Sequence, residues 1–298
     1  MPTLVHRRAY VGLAAAALLV TGCAGQSTPG SAPASDQPAP SLVPEGYDGR
    51  LRAFATVLES PEHGPQLCHS VEESYPPQCG GPDIGGWDWS AVEHESASGT
   101  RWGGYVLVGS FDGETFTLTE PATVDDGSER PQSDPDQFET PCPEPAGGWQ
   151  PVDPELATEV AFQEAAQVAQ AADGFGGLWV WVDQRMADSE PTEEDANDPR
   201  SFVMNVTTTA DAVALHNAIR EVWGGSLCVS RAVRDEATLL EVQSEVTGDP
   251  GIIGSGPDIR TGQLAVQVYV ATAEQQRAYD ERYGDGTIRL EGLLTPID

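Results

Sequence analysis

The sequence predicts an α+β protein: a β-rich N-terminal domain followed by a two-layer α/β sandwich. Three observations carry that expectation. Two apolar runs, 102–111 and 115–119, flank the pair Asp112-Gly113, and Asp-Gly supplies the positive φ angles of a two-residue hairpin turn. Asp153-Pro154-Glu155 then opens a helix, with an Asp N-cap, Pro at the first helical position and an acid near the positive end of the dipole. From Leu178 onward, β-type runs and helix-type runs alternate, the pattern of helices packed on one face of a sheet.

The N-terminal elements begin with the apolar, β-branched stretch 51–58, ended by Ser60-Pro61. In the hairpin, Tyr105, Leu107 and Gly109 point to one side, while Val106, Val108 and Ser110 point to the other. A hairpin of this type, with Gly103 and Gly109 around Tyr105 and then Asp-Gly, resembles small five-stranded barrels of the OB type. That resemblance spans about 70 residues and implies a fold, not a ligand, because such barrels bind many things. Residues 123–148 are dense in Asp, Glu, Pro, Ser and Gly and read as a connection.

In the C-terminal part, the first helix is expected to run to Ala172 and to stop at Asp173-Gly174. Strands are expected at 178–182 and 202–207 around an acidic loop, then at 227–229, 264–270 and 288–294. Apolar residues at 212, 215, 219 and 222 mark one helix face, and Leu239, Val242 and Val246 mark another. Thr272-Ala273-Glu274-Gln275 matches a capping box before a polar helix reaching Tyr283. The closing pattern is a Gln-rich acidic helix, Tyr-Gly, and an apolar strand ending in Leu-Thr-Pro. It is similar to uncharacterised secreted actinobacterial proteins, a likeness that brings no activity with it.

The start of the chain is an address. His6, Arg7 and Arg8 precede an apolar run, 9–20, too short to span a bilayer comfortably. The following Val20-Thr21-Gly22-Cys23 resembles the lipobox of bacterial lipoproteins. The resemblance implies diacylglycerol on the Cys23 sulfur, cleavage after Gly22, palmitate-type acylation and anchoring to the extracytoplasmic face of the cell membrane. Two acyl chains satisfy the two-signal requirement for stable anchoring, each buried methylene contributing roughly 0.8 kcal/mol. The expected organisation is therefore a signal at 1–22, a Ser-, Pro- and Ala-rich tether at 23–46, an OB-like domain at 47–122, a connection at 123–152 and the α/β sandwich at 153–298. At roughly 3.1 Å per extended residue, the tether reaches about 70 Å.

Formal charge is −32 for the whole chain, and removing Arg7 and Arg8 with the signal leaves −34. Such a body is repelled by phosphate backbones, so no nucleic-acid partner is expected. All 15 basic residues are arginine. The absence of lysine excludes Schiff-base catalysis, a P-loop and a Ser-x-x-Lys nucleophile. Beyond Cys23, an even set remains, Cys68, Cys79, Cys142 and Cys228, which reads as two disulfides with three possible pairings. Cys68 and Cys79 flank a polar loop and form the local pair, which leaves Cys142 for Cys228. Their spacing does not suit a zinc site.

Candidate chemistry divides into three classes. Hydrolysis of envelope polymers would need an activated nucleophile or paired carboxylates. Gly254-Ser255-Gly256 lacks the G-x-S-x-G spacing and reads as loop. His63, His69, His94 and His216 read as surface or boundary histidines, and Glu93 and Glu95 flank His94 without a cleft in view. Calcium would find oxygen ligands in Glu193, Glu194, Asp195 and Asp198, although the calcium-loop register is missing. Aromatic binding is the third class. Trp87 and Trp89, or Trp179 and Trp181, place two indoles on one face if extended, and Trp87 and Trp89 are the pair expected to be exposed and able to stack sugar rings. The resulting expectation is a membrane-anchored binding or envelope-organising module with no cofactor and a cell-wall or protein partner. A hydrolase and a calcium-binding surface protein are the alternatives.

Overall fold

The computed structural model describes residues 41–131, 137–182 and 197–297. Its N-terminal strands are β1 (Leu51–Ser60), β2 (His63–Cys68), β3 (Asp83–Gly85), β4 (Glu95–Ala97), β5 (Thr100–Phe111), β6 (Thr115–Leu118) and β7 (Thr123–Val124). They close on themselves in the circuit β1-β2-β3-β6-β5-β1, in which only β3 and β6 run parallel. The interior follows from period-two alternation: Leu51, Ala53, Ala55 and Val57 point inward from β1 and meet Leu67, Ile84, Tyr105, Leu107 and Phe116. Closure depends on Gly109. A Cβ there would lie 2.3 Å from the Thr117 carbonyl oxygen and against the Phe116 ring, so a side chain would force β6 away from β5.

The hairpin differs from its expected turn. Phe111 pairs with Phe116, and residues 112–114 connect β5 to β6, a three-residue and not a two-residue connection. Gly113 takes φ +103°, but Asp112 has no positive φ. Its carboxylate instead accepts the Glu114 and Thr115 amides at 2.9 and 2.7 Å, an Asx-type closure. His63 opens strand β2, which also contains Pro65.

The remaining elements are α1 (Glu159–Gln170), β8 (Phe175–Val182), β9 (Phe202–Thr208), α2 (Ala212–Arg220), β10 (Ser226–Arg231), α3 (Glu236–Val246), β11 (Ile252–Asp258), β12 (Gln263–Val268), α4 (Ala273–Tyr283), β13 (Ile288–Gly292) and β14 (Thr295–Pro296). The fold is thus mixed α and β. The expected alternation resolves into the same α-β-β-α-β unit twice, each with its own three-stranded sheet, β10-β9-β8 and β11-β12-β13. In both units the first two strands are antiparallel, and the helix crossover returns the third parallel to the second. Each unit buries its own core: Ala165, Met204, Ile219 and Trp223 in the first, Leu239, Leu264, Tyr279 and Leu290 in the second.

Side-chain caps set the helix starts. Thr158, Asp211, Asp235 and Thr272 each accept a backbone N–H of the first turn. The first helix begins at Glu159, not at Pro154. The Asp153 amide donates to the Gly224 carbonyl and the Gly224 amide to that of Leu156, which holds 153–157 as a turn against the end of α2. Gly254-Ser255-Gly256 lies in β11, a strand that its composition hid. Its edge is covered by the Gln243 amide, which donates to the Ser255 carbonyl at 2.8 Å.

Both ends of the described chain cross the expected domain boundaries. Val43, from the end of the tether, is buried and forms a parallel bridge with Thr272. At the other end, β14 pairs with β1 through Leu51 and Pro296, and Leu294 lies in the barrel core. The barrel sheet therefore contains the last strand of the chain. Two disulfides, Cys68–Cys79 and Cys142–Cys228, complete the framework. The second ties the connection to β10 directly beside Asn205 of β9.

Candidate ligand groove on the barrel

The most developed candidate site is where β3 leaves the barrel. Gly86, at φ +80°, turns the chain outward, and Asp88 then caps a single 3-10 turn, Trp89–Ala91. The Asp88 Oδ1 accepts the Ser90 hydroxyl at 2.7 Å and the Ser90 amide at 2.9 Å. These two bonds hold the Asp88 carboxyl below the usual aspartate range, the hydroxyl bond contributing most.

This turn sends the two indoles to different places. Trp89 is only 6% exposed and is removed as a stacking surface. Its Nε1 donates to Glu59 at 2.7 Å, and the Arg101 guanidinium lies over its ring at 5.3 Å while pairing with the same glutamate. At Glu59, burial pushes the carboxyl up, but the hydrogen bonds from Arg101 and Trp89 outweigh it and hold the group below its ordinary value. Trp87 is half-buried and meets Trp89 edge-on at 5.1 Å and Tyr105 at 5.0 Å. The three rings form an edge-to-face cluster in which Trp87 is the most exposed. The expectation that both indoles share an exposed face fails because residue 89 begins a 3-10 turn, so the period-two rule does not apply.

Trp87 walls a groove of about 360 Å³. Asp88, Ala91 and Val92 continue its near side, and Leu118, Glu120 and Pro121 form the far side. The groove offers one aromatic face, aliphatic walls and two carboxylates, of which Glu120 is paired with Arg50. Such a surface accepts an apolar ring face and the hydroxyl donors at its rim. A larger hollow of about 600 Å³ lies on the open face of β11 and β12, but its charges are already matched, Arg260 with Asp258 and Arg289 with Glu291.

The other residues singled out from sequence do not gather at this groove. The Cα atoms of Glu95 and Trp102 are register partners on β4 and β5, and the Glu93 carbonyl accepts the Tyr105 hydroxyl at 2.7 Å. His94 meets the Trp89 ring at 5.0 Å. His63 contacts the Gly64 carbonyl, His69 lies beside Gly254, and His216 is half-buried on α2. Trp179 donates Nε1 to the Phe138 carbonyl at 3.0 Å. Asp198 is engaged by Arg200 through both carboxylate oxygens, while Glu193, Glu194 and Asp195 lie outside the described residues. Among the described residues, no group of three or more His, Cys, Asp or Glu is placed to hold a metal ion. Sequence reasoning missed the partners of Trp89, Glu59 and Arg101, which are distant in the chain. The Asp88-x-Ser90 spacing was the available local signal for the turn.

Comparison with protein-family models finds no match, and comparison with curated proteins finds none either.

Proposed function

We propose that this chain is an envelope lipoprotein, held to the extracytoplasmic face of the cell membrane through Cys23, whose barrel binds a neutral cell-wall glycan in the Trp87 groove. The lipobox-like Val20-Thr21-Gly22-Cys23, outside the described residues, supports the anchor. The single observation that carries the binding reading is the half-buried Trp87 ring, packed against Trp89 and Tyr105 and flanked by carboxylates over a groove of about 360 Å³. A net charge of −32 disfavours anionic polymers and leaves a neutral glycan unopposed. On the same reading the barrel is of the OB type, supported by its closed five-stranded circuit. The two α-β-β-α-β units are two-layer sandwiches, supported by cores that join each sheet to its own helices.

The test is titration of the mature protein with a β-1,4-linked N-acetylglucosamine tetrasaccharide, followed by tryptophan fluorescence and by product analysis. Saturable binding without cleavage, lost at least tenfold in Trp87→Ala, is the expected result. Equal affinity in Trp87→Ala and wild type would refute the site, and release of shorter sugars would make the protein a hydrolase.

A further inference from the structure

A second surface shares no lining residue with the Trp87 groove. The loop between β2 and β3 projects Tyr75 into solvent at 81% exposure, with Val71 43% exposed nearby in sequence. At that exposure the Tyr75 ring buries little of its surface against the fold that carries it. This loop is nonetheless rigidly held. Cys68–Cys79 closes its base, the Glu72 amide donates to the Gln78 carbonyl at 2.9 Å, and the Ser74 hydroxyl donates to the Pro76 carbonyl at 3.0 Å. The Tyr75 ring stands perpendicular to the half-buried Trp102 ring of β5, centroids 5.9 Å apart. The result is a preformed two-ring corner, and Tyr and Trp are the side chains that most often anchor protein interfaces.

The surrounding charge selects the occupant. Glu72 and Glu73 precede Tyr75 in the loop, Glu95 on β4 is the register partner of Trp102, and all three are exposed. None of the three forms an ion pair with a described residue, whereas nearby Arg101 is already paired with Glu59. These carboxylates do not form a group able to hold one metal ion. They match several separate cations on a chain, and guanidinium or ammonium groups are also favoured over the ring faces. A second copy of this protein does not fit, because it brings 47 acidic residues against 15 basic ones.

We infer that Tyr75 and Trp102 anchor a docking surface for an arginine- or lysine-bearing segment of a partner protein. The probe is a fluorescein-labelled nine-residue peptide of alternating arginine and serine, compared at physiological salt with its citrulline counterpart. Binding of the arginine peptide should weaken about tenfold in Tyr75→Ala, which leaves the net charge unchanged, and thermal melting should confirm that the variant is folded. Glu72→Gln/Glu73→Gln should weaken it more than the remote pair Glu164→Gln/Glu241→Gln. Trp87→Ala should leave it unchanged, which separates this surface from the glycan groove. Equal affinity in Tyr75→Ala and wild type, equal effects of the two glutamine pairs, or equal binding of the citrulline peptide would each overturn the inference.

Discussion

Removing the Cys142–Cys228 disulfide should be the most destabilising cysteine change in the folded body. The bond closes a loop with a sequence separation of 86, against 11 for Cys68–Cys79. In the chain-entropy treatment, releasing the first from the unfolded ensemble is worth ~4.6 kcal/mol and the second ~2.8 kcal/mol. Local packing modifies the larger figure. The bond holds the connection over the face of the first sheet that its helices leave uncovered, where Asn205 and Thr207 are buried. Among the described residues, the buried Asn205 Oδ1 and Thr207 Oγ1 have no hydrogen-bond partner. Loosening the connection lets water reach them and returns on the order of 1 kcal/mol. The expected net loss for Cys142→Ala/Cys228→Ala is therefore about 3–4 kcal/mol. Equilibrium urea unfolding, read by tryptophan fluorescence beside Cys68→Ala/Cys79→Ala, measures both. Faster hydrogen exchange around residues 137–150 should accompany the larger loss. A long-loop variant that loses less than about 1 kcal/mol, or less than the short-loop variant, would refute the loop-closure argument.

Two further outcomes are expected. Glu59→Gln should destabilise the barrel by about 1–2 kcal/mol at pH 7, since Glu59 accepts from both Trp89 and Arg101. The folded carboxyl titrates below its unfolded value, so its contribution is full above about pH 4.3 and disappears as pH falls through the depressed folded pKa. Melting curves of wild type and variant should converge on acidification, and a gap that persists in strong acid would show that the carboxylate charge is not the cause. Cys23→Ser should move the protein from the detergent phase to the aqueous phase, because serine offers no thiol for the thioether. Unchanged partitioning would remove the lipoprotein assignment.

Much of this architecture is legible where its cause is local. The strand at 51–58, the cap Thr272 and the strand at Phe202–Thr208 all express preferences of neighbouring residues. The cysteine pairing was readable for a similar reason, since the local pair leaves a single remaining choice. The groove was half legible. Trp87 and Trp89 were expected to be exposed together; Trp87 is half-buried, and Trp89 is buried by Glu59 and Arg101, which approach from β1 and β5.

By itself, the sequence determined the strand-forming stretches 51–58, 102–111 and 202–207, most of the helix starts, the acidity of the surface and the lipobox-like motif, because these depend on residues within a few positions of one another. Only the tertiary structure decided that β11 forms from a glycine-rich stretch, since β12 supplies the hydrogen bonds that its own side chains do not encode. It also decided that the alternation divides into two sheets, each buried by its own pair of helices. The last strand returns to the barrel for the same physical reason: backbone pairing between Pro296 and Leu51, and burial of Leu294, join residues far apart in the chain through contacts that neither segment specifies alone.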